Sequence, residues 1–193
     1  MKKLINPFET FSEKQLLFFG LSATILGTFL GFIFNARFDG VLDLHFNTSV
    51  TWQEVAVDNL INLLTLSILY FIAGKIINPK TRAIDVLNIS LICRIPFYIL
   101  PFFNVNQVMF RSSQEIMENF QNGHFTEISS TNLILNLAFS VIAILLLLWF
   151  VILLWNGFKI ATNAKGKKAI IVFIISLLLT EIVSKYLIIY LNK

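Results

Sequence analysis

The sequence predicts an all-α, polytopic integral membrane bundle of five transmembrane helices, with the N-terminus inside and the C-terminus outside. Three observations carry that prediction. The chain has 193 residues, of which 56% are hydrophobic and 13% charged, about half the charged share of a soluble domain. Five long apolar segments divide it into six polar stretches. Lys and Arg alternate among those stretches: three, one, three, one, four and one, counted from the N-terminus. The rich stretches hold Lys2, Lys3 and Lys14, then Lys75, Lys80 and Arg82, then Lys159, Lys165, Lys167 and Lys168. The poor ones hold Arg37, Arg111 and Lys193. Short loops rich in Lys and Arg stay on the cytoplasmic side.

Residues 1–11 form a short inner tail, with Phe8 and Phe11 able to rest at the headgroup boundary. Ser12 to Gln15 fits a capping box, and Phe11 and Leu16 occupy the positions of a hydrophobic staple. The first span is 16–34. It carries Gly20, Thr24, Gly27 and Gly31 on one face. Gly27 to Gly31 is GxxxG, which permits close helix approach. That face serves either packing within the bundle or a homodimer seam.

Residues 35–58 form the first outer loop. Apolar and polar residues partly alternate from Phe38 to Trp52, around a turn at Asn47-Thr48-Ser49. The pattern predicts a small hairpin or flap on the outer surface. A helix resumes near Thr51 and runs into the second span, 59–77. Pro79 breaks the chain in the inner loop. The third span, 83–103, holds Pro96 and Pro101. Each proline frees the carbonyl four residues earlier, on Ile92 or Phe97, so this helix is expected to be kinked or partly unwound.

Residues 104–132 are the second outer loop. Met109, Ile116, Met117 and Phe120 recur at near-helical spacing there, which predicts a short helix lying on the outer surface. The fourth span, 133–155, is the most apolar, with Trp155 at its inner end where an aromatic belt residue belongs. The fifth span, 169–191, carries Tyr186 and Tyr190 near its outer end. Five spans of about 20 residues use about half the chain, which predicts one membrane domain over 1–193. The odd span count argues against a duplicated transporter. The first span is expected to serve as an uncleaved anchor, since Glu9, Glu13 and Lys14 interrupt any signal-peptide pattern.

The net charge of +4 is not a nucleic-acid footprint. Its excess sits in short inner loops, where the headgroups of the lipid bilayer attract it. No nucleic-acid partner is expected. The sequence names no membrane protein partner, and it leaves a homo-oligomer open.

Three ionisable residues fall inside spans: Arg94, Glu181 and Lys185. Such groups cost roughly 3 kcal/mol each on insertion and face the bundle interior. Arg94 lies about 14 Å along its helix from Asp85, and Glu181 about 18 Å from Ala169. Both spans run outward, so the depths match and an Arg94–Glu181 bridge is geometrically allowed. Glu181 and Lys185 form an i, i+4 pair. With Thr180 and Ser184 they give the fifth span a polar side. Two readings follow: a polar path for a proton, ion or headgroup, or a buried pair that fixes helix register with Lys185 snorkelling outward.

Other candidates are weaker. His45 and His124 lack ligand spacing, so no metal or other cofactor is expected. Cys93, the single cysteine, reads as a small apolar filler. The Lys-Gly-Lys-Lys run at 165–168 lacks the spacing of a phosphate loop. Asn47-Thr48-Ser49 matches the glycosylation sequon, which matters only in a host that glycosylates exported chains. HExxH, GxSxG and paired intramembrane aspartates do not occur, so an enzyme is not expected.

Two stretches carry a resemblance. One runs Asn78-Pro79-Lys80-Thr81-Arg82-Ala83-Ile84-Asp85-Val86-Leu87-Asn88-Ile89-Ser90-Leu91-Ile92 and continues to Arg94-Ile95-Pro96. The other is Leu154-Trp155-Asn156-Gly157-Phe158-Lys159, followed by Lys165-Gly166-Lys167-Lys168-Ala169. In that order they resemble the YIP family of five-span Ypt-interacting proteins and their bacterial relatives. The resemblance covers roughly residues 10–190 in span count and layout. It implies a non-enzymatic integral membrane protein, organising membrane or partner proteins through helix and lipid contacts. Eukaryotic members act with Rab-type GTPases through a longer cytoplasmic N-terminal region, which is barely a dozen residues here. The Lys-, Asn-, Ile- and Phe-heavy composition points to a bacterial cytoplasmic membrane. A small transporter or channel component, using the third and fifth spans, is the alternative.

Overall fold

The computed structural model describes residues 2–123 and 129–191. Its elements follow from local chemistry. A short helix α1 (Lys2–Ile5) and a 3-10 turn at Pro7–Glu9 precede α2 (Glu13–Ile33). Ser12 caps α2: Gln15 N–H donates to Ser12 Oγ, and the Ser12 N–H donates to Gln15 Oε1 at 2.9 Å. Thr51 and Glu54 repeat that reciprocal cap at the start of α3 (Trp52–Ile77). Each box satisfies donors that a helix start would otherwise leave bare.

The third span breaks in its middle. It begins as α4 (Ala83–Cys93) and continues as a 3-10 segment, Ile95–Gln107, with non-helical backbone at Asn104, Val105 and Asn106. Pro96 and Pro101 account for the change of pitch, since neither can donate to the helix ladder. The chain then turns into α5 (Val108–Gln121), a strongly amphipathic helix that buries Met109 and Ser112 and leaves Met117 and Phe120 exposed. Two long helices complete the bundle, α6 (Ser130–Thr162) and α7 (Gly166–Leu191). The first begins and ends beyond the apolar run 133–155, and the second begins before 169 and ends with its run at 191.

Five helical stretches are long and apolar enough to cross a membrane. The chain is a multi-pass membrane protein of the all-α class. The third span is its centre: 72% of its most apolar stretch is buried, against 17–33% in the other four. The other four turn Leu, Ile and Phe outward, as lipid-facing helices do. The three basic stretches converge at one end. There Arg82 pairs with Glu13 at 2.7 Å, Asn156 Nδ2 donates to Ile5 O at 3.0 Å, and Gly74 lies against Thr81 and Thr162. This end is called the basic face.

The first outer loop departs from the surface flap expected of it. Its two strands are short, β1 (Ala36–Arg37) and β2 (His45–Phe46), antiparallel with Ala36 opposite Phe46. The reversal lies at 38–44, not at Asn47–Ser49. Phe38 and Val41 are fully buried inside the bundle. The loop is re-entrant. Its apolar side chains gain a dry environment, and that gain stands only if its backbone groups find partners at depth.

Candidate functional site

Those partners are polar side chains of three spans. Asn62 Nδ2 donates to Phe38 O at 2.7 Å. The Val41 N–H donates to Ser184 Oγ at 3.1 Å. Arg94 Nη1 donates to Val41 O at 3.1 Å, and the Leu42 N–H donates to Glu181 Oε2 at 2.7 Å. Asn59 anchors the cluster twice, accepting from Arg94 Nη2 at 3.2 Å and donating to Thr28 Oγ1 at 3.0 Å.

Arg94 and Glu181 therefore do not meet directly. Among the described residues no ion pair joins them. Val41 C=O and Leu42 N–H belong to one peptide group, and that peptide stands between them. Its oxygen faces the cation and its N–H faces the carboxylate, the orientation its dipole favours on both sides. Arg94 and Glu181 reach the two ends of that peptide. A main-chain unit from a third segment fills the gap.

Arg94 has no exposed surface. Its guanidinium lies 5.6–5.8 Å from the rings of Phe38, Phe97 and Tyr98, within cation–π range. Tyr98 and Phe38 also meet edge to face. Glu181 leaves no room beside it: a Cβ added at Gly40 would fall 2.7 Å from Glu181 Oε1. A Cβ there would have to shift the carboxylate end of Glu181. Lys185 sits at the outer edge, 2.5 Å from Asp43 Oδ2 and 3.8 Å from Glu181 Oε1. On the polar side of α7, Ser184 and Glu181 hold the loop, while Thr180 bonds back to Ser176 O at 2.6 Å.

A second anchor lies farther from the basic face. Arg37, on β1, forks onto Asp58 through Nε at 2.5 Å and Nη2 at 2.8 Å, and reaches Glu54 Oε1 at 3.0 Å. The paired carboxylates hold the Arg37 guanidinium above its ordinary value, chiefly through Asp58. The sequence reading did not single out Arg37, Asp58, Asn59 or Asn62. Four polar residues at 54, 58, 59 and 62, along the first turns of α3, were the available signal. Removing Asn62 tests it. Asn62→Leu leaves Phe38 O buried without a donor, so unfolding in detergent should show a loss of about 1–3 kcal/mol. An unchanged melt would mean that the loop is not held there.

The loop also has a titratable latch. His45 Nδ1 pairs with Asp39 Oδ2, and this hydrogen bond raises the imidazole above its ordinary value of 6.5. A raised histidine stabilises the fold fully below its unfolded value and loses that contribution as pH rises through the folded one. Both partners are partly exposed, so the effect is held to within about 1 kcal/mol. Protection factors across 38–46, which remove the base-catalysed rise of exchange itself, should therefore fall as pH rises through the raised imidazole value, and His45→Gln should flatten that fall.

The remaining residues fall as follows. Gly20 lies against Leu91, Gly27 against the Tyr98 ring, and Gly31 against Val55 and Phe38. That helix face is filled from within the chain. Cys93 is fully buried beside Arg94. His124 and Lys193 lie outside the described residues. Among the described residues no group of three or more His, Cys, Asp or Glu could hold a metal ion. No family model, no curated protein and no solved structure matches the chain.

Proposed function

We propose that this protein is a non-enzymatic, YIP-type integral membrane protein of a bacterial cytoplasmic membrane, which organises membrane or partner proteins through helix and lipid contacts. One observation carries this reading. Two of the three ionisable groups inside the spans are committed to backbone, Arg94 to Val41 O and Glu181 to the Leu42 N–H, and the third, Lys185, pairs with Asp43. Groups tied up this way fix architecture. A large lipid-facing apolar surface on four of the spans supports the same view. Affinity capture in mild detergent, with identification of bound proteins and lipids, is the test. A specific membrane partner, with no ion flux in proteoliposomes, is the expected result.

A second reading keeps one observation of its own. Arg94 Nε and Asn62 Oδ1 are buried without hydrogen-bond partners among the described residues, beside a loop that plugs the outer mouth. A small transporter would use such a loop as its gate. An ion-dependent flux that disappears in both Arg94→Ala and Glu181→Ala would favour this reading and displace the first.

A further inference from the structure

At the basic face, α2, α4 and α6 diverge around a crevice that the N-terminal segment crosses as a strap. Trp149 Nε1 donates to Leu4 O at 2.9 Å, and Asn156 Nδ2 donates to Ile5 O at 3.0 Å, which fixes the strap along α6. Two cavities lie under it. The outermost, about 330 Å³, is lined by Glu13, Arg82, Asp85 and Asn88, with Phe8 and Ile160 as apolar walls. The deeper one, about 400 Å³, is lined mostly by apolar groups, among them Phe19, Ile92, Ile95, Trp149 and Leu153. They meet at Phe11 and Leu16, which line both. Along α6 the lining runs from Ile160 to Trp149, about 16 Å at the helical rise.

Polarity changes along this path in a definite order. The outer cavity carries two carboxylates and one guanidinium. Arg82 bridges them, 2.7 Å from Glu13 and 2.5 Å from Asp85, so the mouth keeps a net charge of one negative. Deeper in the same cavity sits Asn88, only 2% exposed. Its Nδ2 donates to Glu13 O at 3.2 Å, and its Oδ1 has no partner among the described residues. A buried bare acceptor costs free energy until a donor arrives. At the junction, the Lys3 ammonium lies 6.0 Å over the Phe11 ring. Beyond it the walls are hydrocarbon.

We infer that the crevice is a binding site for a phospholipid whose headgroup ends in a primary ammonium, phosphatidylethanolamine being the type. The ammonium fits the acidic mouth, and the Asn88 side chain turns to offer it Oδ1, which is otherwise closed to water. The phosphodiester falls at the junction, beside Lys3. One acyl chain follows the apolar cavity toward the bilayer centre. A choline headgroup lacks N–H donors and would leave Asn88 Oδ1 bare, and a glycerol headgroup lacks the positive charge that the mouth prefers. The inference rests on the multi-pass fold alone. A scaffold and a transporter would carry the same site, so its failure would leave both functional readings standing.

The test is native mass spectrometry of the full chain, released from micelles doped equally with phosphatidylethanolamine, phosphatidylcholine and phosphatidylglycerol of matched acyl chains. The ethanolamine lipid should be retained about tenfold over the other two, the worth of one charge-assisted hydrogen bond. Asn88→Leu should bring the ethanolamine-to-choline ratio close to one. Glu13→Gln combined with Asp85→Asn turns the mouth positive and should move the preference to phosphatidylglycerol. Soluble phosphoethanolamine should not displace the bound lipid, because it lacks the chain. Equal retention of all three lipids by the wild type would overturn the proposal, as would displacement by soluble phosphoethanolamine. Because the wild-type ratio decides first, a variant that fails to fold does not rescue the idea.

Discussion

Arg94→Leu should destabilise the bundle by about 3–5 kcal/mol, the cost of taking one charged partner out of a buried polar cluster. It strands Val41 O and Asn59 Oδ1 and leaves Glu181 facing a peptide that is no longer polarised from the other side. Cys93 gives the readout. It is the only cysteine, fully buried, and adjacent to Arg94, so a thiol-reactive fluorophore reports unfolding directly. The charge-swapped pair, Arg94→Glu with Glu181→Arg, separates two models. A direct bridge would recover stability in the swap. The peptide relay would not, because each new side chain would meet the wrong end of the Val41–Leu42 dipole. We expect the swap to be at least as unstable as either single change. Recovery would dismiss the relay. Arg94→Leu and Glu181→Gln should also couple, departing from additivity by about 0.5–3 kcal/mol.

Gly27→Ala is expected to have the next largest effect, though it adds one carbon. The new Cβ would fall 2.2 Å from Cγ and Cδ1 of the Tyr98 ring. Overpacking of this kind costs about 1–3 kcal/mol, sometimes more. Here it propagates, because the Tyr98 ring packs edge to face on Phe38 and lies 5.8 Å from the Arg94 guanidinium. Cys93 labelling should therefore quicken along with the lowered melting temperature. Tyr98→Leu, placed in the same chain, makes room and should restore part of the loss. A Gly27→Ala protein that melts like the wild type would mean that the first and third spans are not in contact there.

Much of this fold could be read from the residues because the bilayer restricts the options. Span number follows from apolar length, and the shared end of the basic stretches follows from their alternation. Ser12 with Gln15 announces the start of α2, and Pro96 with Pro101 announces the change of pitch in the third span. The re-entrant loop was not legible in the same way. Its alternating residues from Phe38 to Trp52 fit a surface hairpin equally well. What decides the matter is the supply of partners at depth, Asn59, Asn62, Arg94, Glu181 and Ser184, which come from three separate spans. Local pattern cannot tell which spans adjoin. The depth estimate brought Arg94 and Glu181 to one level, but side-chain reasoning supplies no peptide between them.

That peptide has an evolutionary corollary. A main-chain amide is common to nearly every residue type, so the contacts at Val41 O and the Leu42 N–H place no chemical demand on the side chains at 41 and 42. Homologous chains can exchange one apolar residue for another there, since Val41 is buried in the core and Leu42 packs against it, while retaining the base on the third span and the acid on the fifth. Proline at 42 is barred on a further ground: it has no amide hydrogen to give to the acid. Covariation between positions 94 and 181 would then arise without any direct touch between them.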